Sequence, residues 1–295
     1  MAESFFIYLN KPVGLTSQKC LTHFKKKFGF DKVGHHGTLD PFATGLLLVG
    51  VNEATKFFQY IDDSCKTYEA TLELGVRTDT LDLTGAILER QSVPSYSLQD
   101  IKQALSELIG KSSQRPPMYS AVKVGGQKLY ELARQGLEIE RQTREIEVFE
   151  LLLLDWSPPH LKIRATVSRG TYVRVLAEDI AAKLVNVAHL TELSRTKLGQ
   201  SELDLAFDSQ TAESIPETIK KTPQDLLTHF YRIELDEIQF KALIQGKRPL
   251  YQPGQVPSEA LYRAFYQDLF LGLVRVQNDQ ILAERFMNTT TWQNY

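Results

Sequence analysis

The run from Gly34 to Leu47 constrains this chain more than any other stretch. It reads Gly-His-His-Gly-Thr-Leu-Asp-Pro-Phe-Ala-Thr-Gly-Leu-Leu, so glycines and a proline surround a single acidic residue, Asp40. Glycine adopts backbone conformations closed to other residues and proline fixes its own φ, so the run indicates a loop of defined shape. Such a loop holds one carboxylate in a fixed position. Composition alone would also fit a surface turn that contains Asp-Pro.

The bulk composition indicates an ordinary globular protein. The 295 residues suffice for one large domain or for a large domain with a small one, and 42% are hydrophobic and 24% charged. No stretch has the roughly 18 consecutive apolar residues of a membrane-spanning helix. The first residues also lack the basic and apolar regions of a signal peptide. We therefore expect a cytoplasmic protein without membrane contact.

Metal-ligating residues are few and poorly spaced. Cys20 and Cys65 are the two cysteines, and the six histidines show no ligand spacing. His35 and His36 are adjacent, and neighbouring residues seldom point at one ion. We expect a site without metal and without cofactor.

The net charge of −2 argues against broad binding to nucleic acid, which depends mainly on Lys and Arg. Basic residues are nevertheless concentrated in two segments. Lysines crowd residues 19–32 around one acid, and the run from Trp156 to Leu176 is basic without any acid. This distribution fits local contact with a folded RNA. A solvated helix face is the alternative for the lysines.

Hydrophobic periodicity predicts the elements around the loop. Residues 5–9 indicate a short buried strand, and apolar spacing predicts a helix after Thr16-Ser17 that Gly29 ends and that leads directly into the loop. Leu46 to Val51 is predicted as a strand, followed by a helix capped by Asn52 and running to about Ile61. Strict alternation predicts a further strand over 66–74.

The rest of the chain alternates between helical and extended patterns. Ser97 with Asp100 predicts a capped helix that Gly110 ends. Further predictions are strands over 145–154 and 161–168, a helix through Leu176, Ile180 and Leu184 continuing towards Leu193 to Thr196, a linker or a weakly packed helix over 210–224, a short helix over 240–248, and a hairpin over 269–286.

The central run resembles the catalytic loop of the TruB family of tRNA pseudouridine synthases, in which this aspartate is the catalytic residue. Other segments resemble that family's motifs in the same order. They are Lys11 to Ser17 (Lys-Pro-x-Gly-x-Thr-Ser), Leu74 to Gly85 (Leu-Gly-x-x-Thr-x-Thr-x-Asp-x-x-Gly), Gln114 to Gly136, and Gly170 to Arg174 (Gly-Thr-Tyr-x-Arg).

The resemblance implies an α+β fold built on a mixed, mostly antiparallel β-sheet flanked by helices, with a small C-terminal PUA-like β domain. The implied catalytic domain spans 1–230, and the PUA-like domain spans 231–295. Within the first domain, residues 112–136 form a proline-stiffened, basic excursion bearing tyrosines, called here the 112–136 excursion. This composition suits an RNA backbone and stacked bases. A rigid structural loop is the alternative.

The resemblance also implies the site residues. Asp40 is the catalytic residue, and His35, Tyr68, Arg174 and Leu193 are implied to bind the substrate. Residues implied to bind RNA are Lys11, Lys25, Lys26, Arg115 and Lys123. By periodicity alone Tyr68 would be a core residue, the commoner fate of a strand aromatic.

The implied reaction converts the T-loop uridine at tRNA position 55 to pseudouridine. Asp40 acts either as a nucleophile at C1′ or in an elimination route, and the sequence leaves both open. Arg174 is expected to offer two parallel hydrogen bonds that lower the pKa of Asp40. Tyr68 stacks on the flipped uracil, Leu193 closes the apolar side, and His35 fills the gap in the RNA or supports the flipped nucleotide.

Two other function classes stay open at this point. A glycosidase or nucleosidase would need a second carboxylate, for which Asp79 and Asp82 are the nearest candidates. A non-catalytic RNA-binding module would use the basic and aromatic features but leaves Asp40 and Arg174 unexplained. Within the family, Pro41 to Leu47 resembles the stand-alone pattern. We therefore expect a monomer that binds the T arm and T loop of tRNA without a guide RNA.

Overall fold

The architecture is known from a computed structural model that describes residues 3–120, 122–251 and 259–287. Its strands are β1 (Phe6–Lys11), β2 (Val33–His36), β3 (Thr44–Val51), β4 (Cys65–Leu74), β5 (Val76–Thr78), β6 (Ile87–Arg90), β7 (Gly110–Gln114), β8 (Lys123–Val124), β9 (Gln127–Lys128), β10 (Arg144–Ser157), β11 (His160–Ser168), β12 (Ala188–Leu198), β13 (Ser201–Glu202), β14 (Tyr231–Glu234), β15 (Leu261–Tyr266), β16 (Leu269–Gln277) and β17 (Gln280–Phe286).

Helices lie against these strands. They are α1 (Ser17–Phe28), α2 (Leu98–Ser106), α3 (Leu129–Ala133), α4 (Val173–Lys183), α5 (Pro223–Leu226) and α6 (Glu237–Ile244). Short 3₁₀ helices cover Asn52–Tyr60, Leu203–Leu205 and Glu217–Ile219.

The main sheet runs in the order β1-β3-β12-β4-β11-β10-β7, with β2 beside β3 and β13 beside β12. All of its pairs are antiparallel except β3 with β12, which run parallel. A mixed, mostly antiparallel sheet flanked by helices was predicted, and this fold class is confirmed. The parallel pair joins the strand that follows the Asp40 loop to a strand about 150 residues later, so the loop lies beside distant parts of the chain.

The core confirms the periodicity of the central strands. Along β4, Tyr68, Ala70, Leu72 and Leu74 are all buried, and they pack with the buried residues of β11, α2 and α4. A second cluster lies where α1 packs on β1 and β3. Helix α1 has the predicted limits, with the Thr16 side chain accepting from Lys19 N and Gly29 in the left-handed conformation at its end.

Several predicted boundaries are wrong. Asn52 does not cap an α-helix. Its side chain donates to Glu3 O, its φ is +53°, and it is the first residue of the 3₁₀ helix Asn52–Tyr60. Helix α2 ends at Ser106, since Gly110 is the first residue of β7 and pairs with Val148 of β10. Strand β2 separates α1 from the loop, and Leu193 to Thr196 belong to β12.

The C-terminal sheet has the order β14-β15-β16-β17, and the predicted hairpin forms β16 and β17. It has its own buried cluster, which includes Tyr262 and Val274. Leu273 joins a different cluster with Phe6 and Phe57 of the larger part, so the two parts are packed together. Ala121 of the 112–136 excursion and residues 252–258 and 288–295 of the predicted PUA-like domain lie outside the described residues.

Candidate active site

Side chains from β1 and α1 hold the first half of the Asp40 loop. The Lys11 ammonium donates to the backbone oxygens of Pro12 (2.9 Å), Leu15 (2.6 Å) and Pro41 (3.3 Å). Ser17 Oγ bonds both the N–H (2.9 Å) and the oxygen (3.1 Å) of Leu39. The residues on both sides of Asp40 are therefore fixed by neighbouring elements.

Arg195 of β12 holds the two ends of the loop. It is 1% exposed, and its guanidinium donates to Leu46 O (Nε, 2.8 Å) and to Gly37 O (Nη2, 2.8 Å). Gly45 lies directly against this strand with φ +102°, and a Cβ there would be 2.3 Å from Arg195 O. The close approach of the two backbones therefore requires glycine at position 45.

Asp40 forms an ion pair with Arg174, the second residue of α4. Arg174 Nε is 2.9 Å from Asp40 Oδ2, and the arginine side chain is 3% exposed while that of Asp40 is 35% exposed. The other guanidinium nitrogens donate to Thr80 O (Nη1, 2.9 Å) and Tyr119 O (Nη2, 2.7 Å). The expected pair of parallel hydrogen bonds to Asp40 is not seen, because Nε makes the close approach to Asp40 and the bonds of Nη1 and Nη2 go to backbone oxygens.

A second carboxylate, Asp82, lies against the same guanidinium. Asp82 Oδ2 is 3.5 Å from Arg174 Nη1, and its other oxygen accepts from the hydroxyls of Thr80 and Thr84 and from Thr84 N–H. The residue is 4% exposed. Asp82 thus helps to orient Arg174 through a nitrogen other than the one against Asp40, a role that the alternating Thr-x-Asp-x-Thr pattern could have suggested.

Burial raises the pKa of Asp40 above its ordinary value, and the nearby Asp82 carboxylate adds to this effect. The Arg174 guanidinium and the Lys11 ammonium oppose it without cancelling it. Arg174 therefore lowers the pKa of Asp40 as predicted, but the net shift is upward because burial outweighs it. Burial also lowers the pKa of Lys11 to about 8.

Asp40 opens into a cavity of about 510 Å³. The loop, α1 and the segment with Thr80 and Asp82 form one side of it. The 112–136 excursion forms the other side with Tyr119, Ser120, Lys128, Tyr130 and Arg134. The lining thus combines the carboxylates Asp40 and Asp82, which lie against Arg174, with the cations Lys128 and Arg134 of the excursion. Cations of the excursion would suit the phosphates of a nucleotide whose sugar faces Asp40.

The cationic wall is organised around one tyrosine. Lys128 Nζ and the Arg134 guanidinium lie 5.4 Å and 5.6 Å from the centre of the Tyr130 ring. Neither cation is among the ion pairs found in the described residues. The sequence placed these residues in an RNA-contacting excursion but did not identify them as neighbours of Asp40.

The predicted substrate-binding residues are only partly brought together. His35 lines the Asp40 cavity, with Nε2 3.4 Å from Thr38 Oγ1, and burial lowers its pKa. Tyr68 is 8% exposed and packs in the core with Leu39 and Phe42 beneath the loop. Leu193 lines a separate cavity of about 430 Å³ that shares Phe42 with the first.

The predicted RNA-binding residues divide into two groups. Lys25 and Lys26 on α1, and Arg115 and Lys123 in the excursion, are exposed. Lys11 is 0% exposed and its ammonium contacts three backbone oxygens, so its prediction as a surface RNA contact is wrong. Its place in the motif reflects its hold on the Asp40 loop.

In the described parts of the chain, no group of three or more His, Cys, Asp or Glu side chains has metal-binding geometry. No helix there is long and apolar enough to cross a membrane.

The fold is that of Cbf5 proteins. In a solved Cbf5-Nop10-Gar1 complex, one chain matches with a TM-score of 0.71 at 23% identity, covering 97% of this chain and 86% of that chain. The archaeal box H/ACA sRNP Nop10-Cbf5 complex matches with a TM-score of 0.67 at 19% identity, covering 96% and 85%. At such identities the likeness establishes the architecture.

Sequence comparison identifies the family. Residues 25–173 match the family described as TruB family pseudouridylate synthase (N terminal domain). The chain is 41% identical over 289 residues to tRNA pseudouridine synthase B of Aromatoleum aromaticum, covering 96% of this chain and 92% of that relative. It is 43% identical over 249 residues to the protein of the same name from Geobacter sulfurreducens, covering 83% and 82%. The chain belongs to the TruB family of pseudouridylate synthases.

Proposed function

We propose that this chain isomerises the T-loop uridine at tRNA position 55 to pseudouridine, with Asp40 as the catalytic carboxylate. The observation that carries the proposal is the Asp40–Arg174 ion pair (2.9 Å) at the edge of an open cavity. The names of the relatives, tRNA pseudouridine synthase B, support tRNA as the substrate. A glycosidic carbon placed in the cavity would face an anion of fixed position.

The reaction breaks the bond between C1′ and N1 of uridine and forms a bond between C1′ and C5. If Asp40 is the nucleophile, Oδ attacks C1′ while the bonding electrons pass to uracil N1, and C5 of the turned base later displaces the carboxylate. In an elimination route Asp40 instead removes the C2′ proton as the bond between C1′ and N1 breaks, and the proton returns to C2′ when C5 bonds to C1′. In either route C5 finally loses its proton and N1 gains one. In both routes the ionised carboxylate is the active form, and a raised pKa makes that form a stronger base and nucleophile.

The other predicted substrate contacts belong to the same proposal. Tyr68 and Leu193 lie on the neighbouring strands β4 and β12, and Phe42 lies between the Asp40 cavity and the one that Leu193 lines. A uracil stacked on Tyr68 would therefore require a shift of Phe42 or of the loop. His35, at the cavity wall, would support the flipped nucleotide.

The two packed parts of the chain would have different roles in the reaction. Residues 1–230 would carry the chemistry, and residues 231–295 would form the PUA-like domain and contribute RNA contacts. We further propose that the chain acts as a monomer on the T arm, in the cytoplasm and without a guide RNA. Cbf5 proteins of similar fold were solved in complexes with other proteins, and the proposal for this chain includes no such partners.

The test uses the purified chain and an unmodified tRNA transcript without guide RNA. Wild-type protein should form pseudouridine, mapped by carbodiimide-dependent primer-extension stops. Asp40→Asn keeps the size of the side chain but removes its charge, so turnover should fall more than about a thousandfold while tRNA affinity is kept. The same change at the exposed Asp31 is the matched control and should leave turnover unaltered.

Measuring released uracil in that assay separates the alternatives. A glycosidase would release uracil and leave an abasic site, whereas an RNA-binding module would form no product even as wild type. Asp82 supplies the nearby second carboxylate that a glycosidase needs, but its Oδ1 accepts hydrogen bonds from Thr80 and Thr84 and its Oδ2 faces Arg174. Near-normal turnover by Asp40→Asn would remove Asp40 from the mechanism.

A further inference from the structure

The polar groups on the excursion side of the Asp40 cavity are mostly engaged. Tyr119 O accepts from Arg174 Nη2 (2.7 Å), and the Tyr119 hydroxyl donates to Asp79 (3.2 Å). The Lys128 ammonium is 3.4 Å from the Tyr130 hydroxyl and also lies over the Tyr130 ring. One neutral polar group on this side of the cavity takes no part in these contacts.

That group is the hydroxyl of Ser120. Ser120 lines the cavity and is 5% exposed, and its Oγ is the buried side-chain oxygen that has no hydrogen-bond partner among the described residues. Its backbone is fully paired, with its N–H donating to Met118 O (2.9 Å) and its oxygen accepting from Tyr130 N–H (3.1 Å). The hydroxyl is therefore held in position while its own bonding capacity is unused.

An unpaired buried hydroxyl is costly, and native structures place such groups rarely and often at functional sites. Rotation about χ1 moves a serine hydroxyl between three staggered positions without moving the backbone. Because Ser120 lines the cavity, one such rotation can direct Oγ towards a bound molecule. Ser120 also directly follows Tyr119, whose backbone oxygen is bound to the guanidinium that pairs with Asp40.

The chemistry of the walls selects the part of the substrate that reaches Ser120. Phosphates are matched by the cations Lys128 and Arg134, and the sugar carbon that reacts must face Asp40. A neutral hydroxyl that can both donate and accept matches the uracil edge, which has two carbonyl oxygens and one N–H. We propose, on the basis of the proposed function, that the Ser120 hydroxyl hydrogen-bonds the polar edge of the target uracil and holds the base during its turn.

The test combines Ser120→Ala with single-atom changes in the RNA. T-arm stem-loops carry uridine, 2-thiouridine, 4-thiouridine, 3-methyluridine or 2′-deoxyuridine at the target position, and single-turnover rates are measured for each. Ser120→Ala should slow the uridine RNA about three- to tenfold, the effect of one lost hydrogen bond. With the base analogue that removes the contacted group, the same substitution should change the rate little, because the bond is already absent.

Two controls separate this contact from a structural role. Ser95→Ala makes the same chemical change at an exposed serine outside the 112–136 excursion and should leave the rates unaltered. The thermal midpoint of Ser120→Ala should equal or exceed that of wild type, since the substitution removes an unpaired buried hydroxyl. A lower midpoint would show that the hydroxyl has a partner within the protein and would overturn the proposal.

The proposal would also be overturned if the Ser120→Ala rates equalled those of wild type or if the substitution slowed every RNA by the same factor. It would likewise be overturned if the effect of the substitution disappeared only with the 2′-deoxyuridine RNA. The last result would assign Ser120 to the ribose. Failure of wild-type protein to modify the uridine RNA is a separate result, because it would remove the proposed function itself together with this inference.

Discussion

Asp40 is bordered by charges of both signs, so its protonation depends on its neighbours. Burial and the Asp82 carboxylate raise its pKa, whereas Arg174 and Lys11 act in the opposite direction. Activity needs the ionised form. As the pH falls through the raised pKa, the carboxylate is protonated and turnover should fall. The acidic limb of the rate profile should therefore lie above 3.8, the ordinary value for aspartate.

Asp82→Asn tests the coupling between the Asp82 charge and the pKa of Asp40. Removing the negative charge removes a contribution that raises the Asp40 pKa, so the acidic limb should move to lower pH. The plateau should also drop, because Arg174 loses a contact that orients it. Single-turnover rates across pH separate the two effects. Asp79→Asn is the control, because the Asp79 carboxylate accepts from the Tyr119 hydroxyl and from Ala86 N–H, and this variant should leave the pH of the acidic limb unchanged. An acidic limb that stays at the same pH in Asp82→Asn would contradict the coupling.

Lys11 shows how far a sequence motif predicts the surroundings of a single residue. The resemblance implied that Lys11 binds RNA and that Arg174 pairs with Asp40, and Asp40 and Arg174 do meet. Whether a motif lysine faces solvent depends on the acceptors around it. The three backbone oxygens that bind Lys11 come from two separate segments, and they converge only in the folded chain. The sequence could not show this pocket of acceptors.

Elements with one dominant pattern were predicted well, and those defined by distant contacts were not. Strands β4 and β11 alternate strictly because one face is buried, and the structure follows this alternation. The predicted end of α2 was wrong because Gly110 is the first residue of β7 and does not end the helix. Strand β7 pairs with β10, which begins some thirty residues later in the chain. The supports of the Asp40 loop are of the same kind, since Arg195 reaches it from β12.

The packing of the loop end against β12 gives a prediction for Gly45→Ala. A Cβ at this position meets the Arg195 backbone at 2.3 Å, and φ is +102°. We expect a loss of more than about 3 kcal/mol in the free energy of unfolding, combining a clash and backbone strain. Gly136→Ala is the matched control, because φ is +72° but no atom lies within 4 Å. It should cost only about 1–2 kcal/mol. Equal losses in urea titrations would contradict the close approach.

For the whole molecule, a net charge of −2 means that phosphate contacts must come from a few basic regions. Lys25→Gln/Lys26→Gln and Arg115→Gln/Lys123→Gln should each weaken tRNA binding. The slope of log affinity against log salt should fall by roughly 0.7 to 1 for each phosphate contact removed. Lys183→Gln is the control, since Lys183 is already paired with Glu107 at 3.0 Å. Fluorescence anisotropy at several salt concentrations measures the slopes, and unchanged slopes would make these residues a solvated surface.

The contacts of Arg195 have a consequence for a chain still emerging from the ribosome. Its bonds to Leu46 and Gly37 span 149 and 158 residues. Translation therefore passes through most of the larger part before the arginine that fixes the ends of the Asp40 loop is even synthesised. A nascent chain that has not yet reached residue 174 carries Asp40 but lacks Arg174 and Arg195, the two arginines that set its geometry. The site can therefore be assembled only after β12 has been made.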